Sequence, residues 1–159
     1  MRHYFNVSST LRYITSILSA YAAGFVGSLF MRTGWDTWYE TLVKPPFAPA
    51  SSIFFPVWMV LYFLIGLSLG FLWSHTDLWH PWVGNFFVAL AFNAAWIMFF
   101  FGLHVILIAL IDLVCLVLIT TVLILGAMEI ESRAGYLLLP YLAWLLFAFY
   151  FNAGIWFLN

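Results

Sequence analysis

Charge is what this sequence has least of. Only 7% of its 159 residues are Asp, Glu, Lys or Arg, where soluble domains carry about 25%. Two thirds of the chain is apolar, at 66%, and mean hydropathy is +1.07. A globular domain of this length cannot hide that much apolar surface from water, so lipid must serve as solvent for much of it. The net charge of -1 offers no basic footprint, which excludes nucleic acid as a partner. Cysteine is nearly missing too. The single Cys115 can form no internal disulfide and reads as a small buried hydrophobe. The spacing also lacks a nucleophile elbow, a phosphate-binding glycine loop, a CxxC pair and a carboxylate pair within an apolar run. No His pair has metal-ligand spacing on a helix; His75 and His80 flank Asp77, and His104 stands alone beside Gly102. Metal and cofactor are therefore both expected to be none. The opening MRHYFNVSSTLRYITS is no cleavable leader, and the lack of a targeting pattern points to a bacterial cell membrane.

What is present is length. About 20 apolar residues cross a bilayer as a helix, and five runs qualify: about 14–31, 53–73, 83–101, 103–127 and 137–157. They are continuous, without the alternation of barrel strands, so helices are expected. The fold class is an all-α membrane protein: a single domain over 1–159, a five-transmembrane-helix bundle with a structured loop between helices 1 and 2. Little more than Gly102 separates the third and fourth runs, which implies a tight hairpin. Glu129, Glu131 and Arg133 fall between the last two. Arg2, Arg12 and Arg133 oppose Arg32 and Lys44 across the membrane, a three-to-two bias that favours a cytoplasmic N-terminus.

The loop between the first two runs is the unusual feature. It runs over about 33–52 and includes WYETLVKPPFAPASS from Trp38. Each proline fixes its own φ and pushes its predecessor toward extended geometry, so the segment is stiff. Trp35, Trp38, Tyr39 and Phe47 give it flat apolar surface, as an interfacial aromatic belt also would. The combination reads as a lid over a pocket for a flat, apolar ligand. Inside the runs, Asn93 and Asn152 need hydrogen-bond partners, from a neighbouring helix or from a ligand. Asn93 shares a helix face with Trp96, and Trp144, Ala148 and Asn152 share another. Asp112 is the one acid within a run; such a carboxylate faces the interior, pairs or takes up a proton, and interfacial solvation or a protonated, hydrogen-bonded acid is the plain reading. Gly66 and Gly70 suit close helix packing or a dimer face.

These motifs, in order, resemble the translocator protein family, also called the tryptophan-rich sensory protein or peripheral benzodiazepine receptor family. GFVGSLFMR, the loop from Trp38 through FPVWMVLY, FNAAWIMFFFG, ALIDL and PYLAWLLFAFYFN carry the likeness over about 23–152. Phe47, Ala50, Ser52 and Met98 depart from the family's Trp, Pro, Trp and Pro. The C-terminal FNAGIWFLN lacks the cation of the animal cholesterol motif. The resemblance implies a bundle, commonly a homodimer, that binds porphyrins, protoporphyrin IX above all, in tetrapyrrole handling or stress signalling. The pocket it implies is formed by Trp38, Tyr39, Tyr62, Phe92, Asn93, Trp96, Trp144, Phe147, Ala148 and Asn152. Other readings stay open. One is a light- and oxygen-dependent porphyrin-degrading enzyme using Trp38 and Trp144. Another is a transporter of tetrapyrroles or sterols, and a third is a purely structural role.

Overall fold

The computed structural model describes residues 9–31, 38–49 and 51–159. Arg2, Arg32, Trp35 and Asp36 lie outside the described residues. Every regular element among the described residues is helical: α1 (Ser9–Met31), α2 (Trp38–Thr41), α3 (Ser51–His75), α4 (Pro81–Ile97), α5 (Ile106–Ile130) and α6 (Ser132–Leu158). A π-helical turn, Met98–Gly102, extends α4. All but α2 are long and apolar enough to cross a membrane, counting α4 with its π turn.

The five long helices form a closed ring. α1 packs between α3 and α4, α3 between α1 and α6, α6 between α3 and α5, and α5 between α6 and α4. Spans adjacent in sequence are not always adjacent in space: α3 and α4, joined by a short turn, barely touch. Glycines set the closest approach. A Cβ on Gly66 would stand 2.5 Å from the backbone of Ile17, and one on Gly70 would enter the Tyr13 ring. The Gly66/Gly70 face is therefore occupied by α1 of the same chain, the small-residue contact that lets helix backbones meet in lipid.

The turns explain themselves locally. His80 caps α4, its Nδ1 accepting from the Trp82 N–H at 3.4 Å, with Pro81 at the first helical position, where a missing N–H is harmless. Glu131 alone separates α5 from α6, and its Oε1 accepts from the Arg133 N–H at 3.2 Å. Glu129 and Arg133, expected between the spans, are inside the helices. Capping by Glu131 shortens the connection to one residue, because one extended residue is enough to reverse direction. Cys115 is half-buried, not fully buried. At the other end of the bundle, the widened π turn closes with His104 at φ 57°. A left-handed residue commonly ends a helix, and glycine is the usual choice.

Candidate functional site

A cavity of about 710 Å³ lies on one side of the ring, near the loop end of the bundle. That volume falls within the range for small-molecule sites. α1 contributes Tyr21, Gly24, Phe25, Ser28 and Met31. α3 contributes Phe54, Phe55, Trp58, Met59 and Tyr62. Trp96, Ile97 and Phe101 close the back. Among the described residues, the lining holds no carboxylate, ammonium, guanidinium or imidazole. Phe25 and Phe55 at its lips are 66% and 74% exposed, so the cavity opens sideways, between α1 and α3.

The α3 face is built by helical spacing. Phe54, Trp58 and Tyr62 recur every four residues and stack one above another on one side of the helix. Trp58 is the centre of this wall. Its ring stacks on Tyr62 at 5.4 Å, leans on Trp96 at 6.4 Å and meets the edge of Trp144 at 6.4 Å. Gly24 gives the Tyr62 ring its place, since a Cβ there would collide with the ring. The Tyr62 hydroxyl donates to Asn93 Oδ1 at 2.5 Å, and Asn93 Nδ2 donates to the Tyr141 hydroxyl at 3.2 Å. Asn93 is fully buried and ties α3, α4 and α6 together. Of the two roles open to it from sequence, it fills that of a helix-to-helix bridge. Across the mouth, the Tyr21 hydroxyl donates to the Met59 carbonyl at 2.9 Å.

The sequence-derived candidates divide into three groups. Tyr62 and Trp96 line the cavity. Asn93 and Trp144 back that lining through Tyr62 and Trp58, and Phe92, Phe147 and Ala148 are their neighbours along α4 and α6. Trp144 meets Phe54 edge-on at 6.0 Å and Phe147 at 5.4 Å. Ala148 is buried, while Phe92 and Phe147 are half-buried. Trp38, Tyr39 and Asn152 lie toward the loop and the end of α6. Asn152 is fully buried, and neither of its amide atoms has a hydrogen-bond partner among the described residues. Asp112 is buried, and its Oδ2 has no hydrogen-bond partner among the described residues.

The loop differs from the lid expected of it. No described residue of 38–49 lines the cavity. Trp38 stacks on His104 at 4.1 Å and meets Phe100 edge-on at 5.5 Å. Tyr39 is buried against Phe101 and Phe151. Burial and the adjacent Glu40 carboxylate push the Tyr39 phenol up to about 12. Lys44 sits 4.5 Å over the Tyr39 ring and 3.4 Å from Glu40. The loop thus rests on the π turn and on α6, because its aromatic rings find partners there. At Pro46-Phe47 the chain turns, with Phe47 at φ 63° and its ring 89% exposed. Proline followed by a positive φ is the type II pattern.

Sequence reasoning missed Phe54, Trp58 and the α1 side of the cavity. The signal for Trp58 was there, four residues before Tyr62 on the same helix face. The outward-looking wall of α1 carried none, because lipid-facing and cavity-facing apolar residues look alike.

The match to known proteins covers nearly the whole chain. The model of the TspO/MBR family matches residues 16–157. The tryptophan-rich protein TspO of Archaeoglobus fulgidus is 40% identical over 151 residues, 94% of this chain and 97% of that protein. The human translocator protein is 32% identical over 136 residues, 83% of this chain and 80% of its own. The protein CrtK of Rhodobacter capsulatus is 29% identical over 140 residues, 86% of each.

Proposed function

The chain belongs to the TspO/MBR family, and from that premise we propose that it is an integral membrane receptor for porphyrins, protoporphyrin IX among them, and similar flat apolar ligands, acting in tetrapyrrole handling or stress signalling. The cavity walled by Tyr62, Trp58 and Trp96, with no charged group among its described lining residues, is the observation that carries this reading. A flat ligand that lies against these rings removes apolar surface from its surroundings at about 25 cal/mol per Å², and offset ring contacts add about 1 kcal/mol each. The rings are held before any ligand arrives, Tyr62 by Asn93 and Trp96 by its stack on Phe100 at 5.8 Å. Prior ordering reduces the entropy lost on binding. With no ionic group among the described lining residues, the plate of the ligand belongs inside and any ligand carboxylate at the rim.

The test is a titration of the purified protein with protoporphyrin IX in the dark, following tryptophan emission. Trp58→Leu and Trp144→Phe are run beside the parent. Saturable quenching that weakens strongly in Trp58→Leu and mildly in Trp144→Phe is the expected result. Absence of saturable quenching in the parent would remove porphyrin as the ligand. A second reading, light- and oxygen-dependent porphyrin breakdown, is favoured by the contiguous rings of Trp58, Trp96 and Trp144. New absorbing products that form only under illumination, and fail to form in Trp144→Phe at unchanged affinity, would move the assignment to an enzyme.

A further inference from the structure

The loop over 38–49 has a construction problem that its own sequence creates. The segment begins with the α2 turn and a Leu42 N–H bond to the Tyr39 carbonyl at 3.4 Å, but Pro45, Pro46 and Pro49 have no N–H, so its second half has few backbone donors with which to continue. Its polar groups are met from α6. The side-chain amide of Asn159 accepts from the Val43 N–H at 3.0 Å through Oδ1 and donates to the Val43 carbonyl at 3.1 Å through Nδ2. This is the two-bond pattern by which one strand residue grips another, made here by one side chain. Nδ2 also donates to the Ile155 carbonyl at 2.8 Å, which holds the amide in place on its own helix. About two and a half turns below, the Tyr150 hydroxyl donates to the Pro46 carbonyl at 3.0 Å. Between the two, Gly154 seats Pro45: a Cβ there would stand 2.7 Å from the proline ring. Two residues of α6, Tyr150 and Gly154, and its C-cap Asn159 therefore hold Pro46, Pro45 and Val43 of the loop.

We propose that Asn159, supported by Tyr150, is a positioning residue for the cavity: it fastens the loop to α6 as a fixed roof and prevents the loop from acting as a lid that lifts for ligand exchange. The clamp reaches the cavity through Tyr39, which lies 5.9 Å from Phe101 at the cavity's back and 6.3 Å from Phe151. Trp38 bears on the same π turn through Phe100. Cutting the clamp frees the roof, lets Tyr39 withdraw from Phe101 and loosens the back wall against a bound plate. Exchange itself proceeds through the side opening between α1 and α3, which the clamp does not touch. The effect on ligand rests on the porphyrin-binding reading above; the clamp itself does not.

The experiment uses the full chain in detergent with protoporphyrin IX in the dark. Association and dissociation rates are read separately for the parent, Asn159→Ala, Asn159→Asp and Tyr150→Phe, with Tyr136→Phe at the far end of α6 as control. Asn159→Ala is expected to raise the dissociation rate about fivefold, the equivalent of one ordinary hydrogen bond, and to leave the association rate unchanged. Asn159→Asp keeps the acceptor for the Val43 N–H and is expected to fall between Ala and parent. Amide exchange of Val43 and the ring resonances of Phe101 are followed without ligand. Exchange at Val43 accelerates and the Phe101 signals shift if the clamp works as described. Association and dissociation rising together would show a lid that lifts, and would overturn the fixed roof. A dissociation rate that stays at the parent value while Val43 loses protection would overturn the positioning role, and a Val43 amide that keeps its protection would overturn the clamp. If the parent binds no porphyrin, the functional reading fails alone. Val43 exchange and the Phe101 shift then decide the proposal, and an unmoved Phe101 would sink it.

Discussion

Helices α1 and α3 meet twice, in opposite ways. At the end away from the loop they touch backbone to backbone, because Gly66 and Gly70 leave Ile17 and Tyr13 nothing to push against. At the loop end the same two helices stand apart, because α3 now presents Phe54, Trp58 and Tyr62. The glycine there, Gly24, is on α1 and yields only enough room for one ring. Side-chain volume along one helix pair thus decides where the bundle is sealed and where it opens. The difference teaches that the cavity is a consequence of packing, made by large residues that hold two helices open, and not a gap left by missing ones.

Filling the sealed end should have the largest effect. Gly66→Leu forces a side chain into the Ile17 backbone, and overpacking of this kind destabilises by about 3 kcal/mol. Thermal unfolding in detergent should show a large loss or no folded protein; parent-like melting would mean that the seal is softer than described. Next, Asn93→Ala removes the bridge that fixes Tyr62 and Tyr141 and leaves two buried hydroxyls short of a partner. A loss of about 2 kcal/mol follows, with weaker porphyrin binding, read by melting and by titration on the same sample. Gly24→Ala tests the open end itself. The added methyl displaces the Tyr62 ring, so binding should weaken about tenfold while the melting temperature changes less than in Gly66→Leu. Equal losses in both measurements would erase the distinction between the two ends. Smaller again is Tyr21→Phe, which removes only the bond to the Met59 carbonyl across the mouth. An exposed hydrogen bond contributes about 1 kcal/mol or less, and faster exchange at nearly unchanged stability is the expected outcome.

The last effect is seen only at alkaline pH and concerns the roof. Tyr39 titrates at about 12 when folded, against 10.0 when free. Its folded value is the higher one, so its contribution is fully present below pH 10 and is lost as the pH rises from about 10 to about 12. Tyr39→Phe should flatten that alkaline decline without altering stability at neutral pH.

Five spans and a short hairpin between the third and fourth could be read from residue order, although Gly102 ends the π turn and the reversal falls at 103–105. Asn93 could be read as a bridge or as a ligand contact, and only its neighbours Tyr62 and Tyr141, 31 and 48 residues away, decide the matter. Trp38 shows the opposite case. Its character pointed to a ring wall, but His104 and the π turn capture that ring. The stack on Trp38 meets a left-handed residue that no glycine occupies. Trp58 sits in the same motif as Tyr62, yet nothing in the motif says that four other aromatic rings converge on it.

Apolar length, proline spacing and the scarcity of charge determine that this chain spans a membrane five times, because those are local properties priced by lipid against water along the chain itself. The tertiary structure alone decides which apolar faces seal, which stand open and where the loop comes to rest. Inside a membrane every such face is compatible with lipid. Only steric fit between helices distant in sequence, Gly66 on Ile17 and Gly24 on Tyr62, distinguishes a packed seam from a binding cavity.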